Sequence, residues 1–175
     1  MVAPRVEFEG DALDAELVAA PHHVRHVAFE LFKNAFRASM DSAAERAGES
    51  GGTADDDDAD DDDDERALAP PVRVLARRRD ADVEVAIVDA GGGMARDAAA
   101  AALRLRAGAR YDRLEAQQSY AMVESPLSGN GVGLPISRLY ARHFGGELEI
   151  DVATPGTTRA LFRLPLATSL PENLP

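Results

Sequence analysis

With 175 residues and 45% hydrophobic content, the chain is long enough to bury one well-cored domain and too apolar for a wholly disordered protein. Its formal charge of −12 is concentrated in Asp55 to Asp58, Asp60 to Asp64 and Glu65, which supply ten of the 31 acids; the rest, 19 basic residues against 21 acidic, is nearly neutral. That balance argues against a nucleic-acid footprint or a polybasic membrane patch, and zero cysteines exclude disulfides, thiolate zinc sites and a cysteine nucleophile. No apolar run approaches the ~20 residues of a membrane-spanning helix. The expectation is a soluble domain with no nucleic-acid partner and no membrane insertion. Glu7, Glu9, Asp11 and Asp14 against Arg5 alone do not fit a signal or transit peptide.

Residues 1 to 20 have mixed polarity and form a lead-in in which Val6 and Phe8 fit a short strand. After Pro21, residues 22 to 47 lack Gly and Pro and are rich in Ala, Phe, Leu, Arg and Glu, which predicts a long helix stopped by Gly48, Gly51 and Gly52. Residues 48 to 71 are glycine-rich, then acidic, then bounded by proline; they cannot bury apolar surface and read as a disordered, self-repelling surface insertion. Val72 to Arg78 and Val83 to Val88 have the spacing of an antiparallel hairpin, with Asp89 at the strand end and Gly91 to Gly93 behind it.

Residues 95 to 107 are Ala-rich and helical in propensity. Residues 108 to 130 lack a sustained period, and a loop of that length in a compact domain is expected to be a lid or a disordered stretch. A second strong helix runs from Gly131 to about Phe144, with Pro135 in its first turn and Gly145 and Gly146 ending it. Glu147 to Val152 and Thr158 to Leu164 read as a closing hairpin, and residues 167 to 175 as a tail. The order predicts an α+β fold, with helices on one face of a mainly antiparallel sheet.

Three segments carry candidate chemistry. At about 100° per residue, His26, Lys33, Asn34 and Arg37 all fall within about 60° of Glu30 on the first helix. Apolar side chains cover most of the remaining circumference. A carboxylate and a carboxamide one turn apart can present oxygens to Mg2+ or to a nucleophile; a solvent face with an ordinary Glu and Lys fits the same residues. Asp89 before three glycines permits close backbone approach to a flat ligand while the carboxylate accepts from an exocyclic amine, although a turn or helix cap fits as well. Gly129, Gly131 and Gly133 open a helix whose free N–H groups suit phosphate. No strand precedes them as a dinucleotide fingerprint requires, and no Lys follows as in a Walker A loop. His22 and His23 are expected at a solvated helix start, His143 as a partner of a helix C-terminus, and Tyr140 and Phe144 in the core.

Taken in this order, the three segments resemble the N box and the two glycine boxes of the Bergerat-type (GHKL) ATPase domain shared by gyrase and histidine kinases. The wording "HHVRHVAFELFKNAFRA" and "GVGLPISRLYARHFGGELEI" is similar to one branch, the mitochondrial pyruvate and branched-chain 2-oxoacid dehydrogenase kinases, over residues 21 to about 166. The fold this implies is a two-layer α/β sandwich with helices on one face of a mixed, mainly antiparallel sheet.

By that resemblance the cofactors are ATP and Mg2+, and the reaction is transfer of the γ-phosphoryl to a serine of the decarboxylase subunit. Glu30 would activate the serine hydroxyl and His26 would tune it. Asn34 would coordinate the metal, Lys33 and Arg37 would lie near the phosphates, and Asp89 would bind the adenine amine. Gly91, Gly93, Met94 and Thr157 would line the base pocket, with Thr158 competing for the last role. Gly129, Asn130, Gly131, Val132, Gly133 and Leu134 would wrap the triphosphate. The implied partners are the decarboxylase subunit and the lipoyl-bearing core of the complex, in the mitochondrial matrix. The family's N-terminal helical bundle and C-terminal tail, which dock the lipoyl domain and form its dimer, are not recognisable here, so this chain alone is compatible with a monomer. Two other readings stand beside this one: a histidine-kinase-type catalytic domain, and a domain that binds ATP without kinase activity.

Overall fold

The computed structural model describes residues 3–49, 69–104 and 131–167. The acidic run, the whole of the expected lid with Gly129 and Asn130, and the last eight residues lie outside them. Five strands form one sheet in the order β1-β2-β3-β5-β4. β1 (Val6–Gly10) runs parallel to β2 (Val72–Arg79), and β2, β3 (Asp82–Gly92), β5 (Gly156–Pro165) and β4 (Glu147–Asp151) pair antiparallel. The helices are α1 (Pro21–Glu49), α2 (Arg96–Ala102) and α3 (Gly133–His143). This is the expected α+β architecture.

The long helix forms where Gly and Pro are missing, with Pro21 at its first position, where an absent N–H costs least. Val27, Leu31 and Ala35, one turn apart, are buried with Val72, Val74 and Ile87 of the sheet and Ala141 of α3. Alternation in β2 sends Val72, Val74 and Ala76 into the core. Central β3 instead buries four residues in succession, Ala86 to Asp89. Fully burying a Val or Leu side chain contributes about 1.5–3 kcal/mol, so this core positions α1 and β3 firmly.

Three local features place the site. The β2–β3 turn uses Asp80 at φ 52, a left-handed conformation that Asp tolerates better than most residues. Strand β3 runs past Asp89 to Gly92, further than expected, because Asp89 faces Thr158 and Gly92 faces Gly156, leaving one extra residue on β3 as a bulge. Helix α3 ends in a Schellman arrangement: Gly145, at φ 78, donates its N–H to the carbonyl of Arg142, and Gly146 donates to that of Ala141, both at 3.0 Å. α2 is shorter than expected, with residues 105 to 107 outside the described chain.

Candidate functional site

The polar stripe of α1 lies under the start of α3. Lys33 Nζ sits 2.6 Å from Glu30 Oε2 and 2.8 Å from Oε1, and each side chain is only 13% exposed. Gly133 packs directly over this carboxylate, so that a Cβ at position 133 would overlap it. Among the described residues helix α3 has no side-chain cap, its first turn holds no acid, and the preceding Gly131 adopts φ 73. A helix start of this kind leaves N–H groups available to an anion. Val132, between the two glycines, is 46% exposed.

The remaining α1 residues divide. Asn34 is exposed, one turn from Glu30. Arg37 is exposed and pairs with Asp41 at 3.6 Å, a contact of little energetic weight in water. His26 packs edge-on against Tyr140 at 5.3 Å, and its buried Nε2 has no hydrogen-bond partner among the described residues. His23 departs from the expectation of a solvated start: it stacks on Tyr140 at 4.0 Å with its Nδ1 buried. Burial and the neighbouring imidazoles of His22, His143 and His26 lower its pKa. Tyr140 and Phe144 pack on the core as expected.

A second group forms where the bulge turns the end of β3. Asp89 is buried, and its Oδ1 accepts the N–H of Gly91 at 3.1 Å. Burial pushes its carboxyl upward from the ordinary value, against the lowering effect of that hydrogen bond. Gly91 packs so tightly on Ala38 of α1 that a side chain there would strike helix backbone. Gly93, at φ 75, lies against the backbone of Gly156 and Thr157. Beside it opens a cavity of about 330 Å3 walled by Gly92, Gly93, Met94, Thr154, Pro155 and Thr157, among others.

The two groups share α1 as a common floor, because Ala38 lies roughly 12 Å further along the helix than Glu30. Of the residues singled out from the sequence, Gly93, Met94 and Thr157 line the cavity, whereas Asp89 and Gly91 are not among its lining residues and meet each other through the hydrogen bond at the end of β3. Leu134 packs on the core cluster. Thr158 is buried opposite Asp89. The sequence reading overlooked Thr154 and Pro155, whose signal was the Pro-Gly pair between the last two strands. It also overlooked Glu147, which receives Arg138 and Arg142, each at 2.8 Å, and so ties α3 to β4.

A family model described as the histidine kinase-, DNA gyrase B- and HSP90-like ATPase matches residues 19–168. The chain belongs to that ATPase family. Relatives of this ATPase domain bear out the narrower resemblance. The mitochondrial pyruvate dehydrogenase (acetyl-transferring) kinase isozyme 1 of Mus musculus is 32% identical over 162 residues, covering 91% of this chain and 32% of the relative. Isozyme 3 of Homo sapiens is 32% identical over 189 residues, covering 100% and 39%. The mitochondrial kinase of Ascaris suum is 29% identical over 188 residues, again covering 100% and 39%. The chain thus spans about a third of the length of the curated relatives it matches.

Among the described residues no group of three or more His, Cys, Asp or Glu could hold a metal. Mg2+ keeps several waters and takes only one or two protein oxygens beside substrate phosphates, so it does not need such a cluster. Asn34, exposed beside Glu30, offers such an oxygen. No described helix is long and apolar enough to cross a membrane.

Proposed function

We propose that this ATPase domain is the catalytic part of a mitochondrial 2-oxoacid dehydrogenase kinase, transferring the γ-phosphoryl of ATP to a serine of the decarboxylase subunit and thereby inhibiting the complex. The observation that carries the reading is the partly buried carboxylate of Glu30 beneath the glycine-led start of α3, which puts a proton acceptor beside N–H groups suited to phosphate.

In this reading the adenine enters the cavity beside Gly93, Met94 and Thr157, with its amine donating to Asp89 and its ring against glycine backbone. The triphosphate runs along α1 toward Gly131, Val132 and Gly133, near Lys33 and Arg37. Asn34 would supply a protein oxygen to Mg2+ bound with the nucleotide, an ion that would neutralise phosphate charge. Glu30 accepts the proton of the serine hydroxyl as that oxygen attacks the γ-phosphorus, the bond from phosphorus to the β,γ-bridging oxygen breaks and ADP leaves, and His26, one turn earlier, supports the carboxylate. Positioning and electrostatics supply most of the rate in such transfers. The partners are the decarboxylase subunit and the lipoyl-bearing core, in the mitochondrial matrix.

The test mixes the chain with labelled ATP and decarboxylase subunit, with and without the lipoyl carrier. Serine phosphate that is lost in Glu30→Gln, with ATP binding retained, supports the reading. Labelled histidine on the chain itself, or binding without transfer in either mixture, overturns it in favour of a histidine-kinase-type or non-catalytic ATP-binding domain.

A further inference from the structure

We propose that Lys33 is a nucleotide-responsive positioning residue: without nucleotide its ammonium holds Glu30 in a partly buried ion pair, and the phosphates of bound ATP draw it away, leaving the carboxylate open to the acceptor hydroxyl. The proposal rests on the reading of the site as an ATP site.

The geometry has three parts. Lys33 Nζ lies within 2.8 Å of both oxygens of Glu30, which occupies lone pairs that an incoming hydroxyl needs. Both side chains are largely withdrawn from water, so an ammonium that gives up this carboxylate needs another partner for its charge. The ammonium therefore leaves only for another anion. Gly133 closes the space beside the carboxylate, so the mobile partner is the lysine, on its flexible four-carbon stem. The exposed ring of Phe29, with its centroid 5.7 Å from Nζ, flanks that stem and offers the cation a weak intermediate contact. A bound triphosphate carries more negative charge than one carboxylate and supplies the alternative partner. Occupancy of the nucleotide site thereby sets the availability of the base.

The test is a double-mutant cycle read as affinity for ATP with Mg2+, using the wild type, Glu30→Gln, Lys33→Met and the double variant, with adenosine as the control ligand. Glu30→Gln should tighten ATP binding by about threefold to tenfold when Lys33 is present, and distinctly less in the Lys33→Met background. Adenosine affinity should stay constant throughout. An equal gain in both backgrounds, or none, overturns the exchange while leaving the ATP reading intact. A wild type that binds neither ATP nor adenosine sinks both. A measurement without mutation guards against folding defects: the carbon-13 carboxyl resonance of Glu30 in the wild-type chain should shift on adding a non-hydrolysable ATP analogue with Mg2+ and not on adding adenosine. A resonance that ignores the analogue overturns the proposal.

Discussion

Gly133 of α3 rests directly on the carboxylate of Glu30 in α1, with no room between them for a methyl group. The contact ties a glycine expected to serve phosphate to a carboxylate expected to serve a hydroxyl. Gly133→Ala forces Glu30 to rotate out of its pair with Lys33, since the clash involves the carboxyl group itself. We expect phosphoryl transfer to fall by about tenfold to a hundredfold, with a melting temperature lower by only a few degrees. Transfer at the wild-type rate in a folded variant would show that the carboxylate position is immaterial.

Asp89 gives a prediction with a defined sign. Burial disfavours its ionised form and raises its pKa, so the folded chain holds the proton more tightly than the unfolded one. The stability tied to the neutral carboxyl is complete below the ordinary value of 3.8 and is lost as pH rises through the raised folded value. Asp89→Asn, neutral at every pH, should melt a few degrees higher than wild type at pH 7, with the difference shrinking as pH falls toward 3.8. The same change should weaken ATP by about tenfold or more through loss of a charge-assisted acceptor. It should also abolish any preference for ATP over inosine triphosphate, which lacks the exocyclic amine.

Gly93 combines a left-handed backbone with a close neighbour: an added Cβ would lie 3.2 Å from the Thr157 nitrogen. Gly93→Ala should cost about 1–2 kcal/mol in urea unfolding from the conformation alone. By pushing the cavity wall outward it should also raise the dissociation constant for ATP and adenosine in parallel. A loss confined to ATP would place the residue at the phosphates instead.

Burial pushes the carboxyl of Glu147 upward, but hydrogen bonds from Arg142, Arg138 and the Leu148 N–H outweigh it and bring the pKa to about 2. Its contribution to stability is therefore present above 4.5 and lost as pH falls toward 2. Because Arg142 is half exposed, screening limits the effect, and Glu147→Gln should cost on the order of 1–2 kcal/mol at pH 7. Urea unfolding at pH 7 and again near pH 3 checks this: the gap between variant and wild type should narrow in acid.

Much of this was legible in the sequence because it is local. The absence of Gly and Pro from 22 to 47, the alternation from Val72, and the glycine pair after Phe144 each state a backbone preference within a few residues, and helix α1, strand β2 and the end of α3 follow them. The polar stripe of α1 was visible from helical spacing alone. Less legible was β3, read as ending before Asp89; a bulge set by its pairing with β5 extends it to Gly92.

The sequence by itself determined which residues could carry the chemistry: a carboxylate, a carboxamide and a lysine on one helical stripe, and glycines where backbone must approach a ligand. Only the tertiary structure decided what they touch. Glu30 and Gly133 lie more than a hundred residues apart in the chain, and their contact exists because the buried faces of α1 and α3 pack together. His23, read as solvated, is instead stacked on Tyr140 for the same reason. Helical and strand periodicity fixes the face a side chain occupies, whereas the partner on that face is set by how the layers close over the shared core.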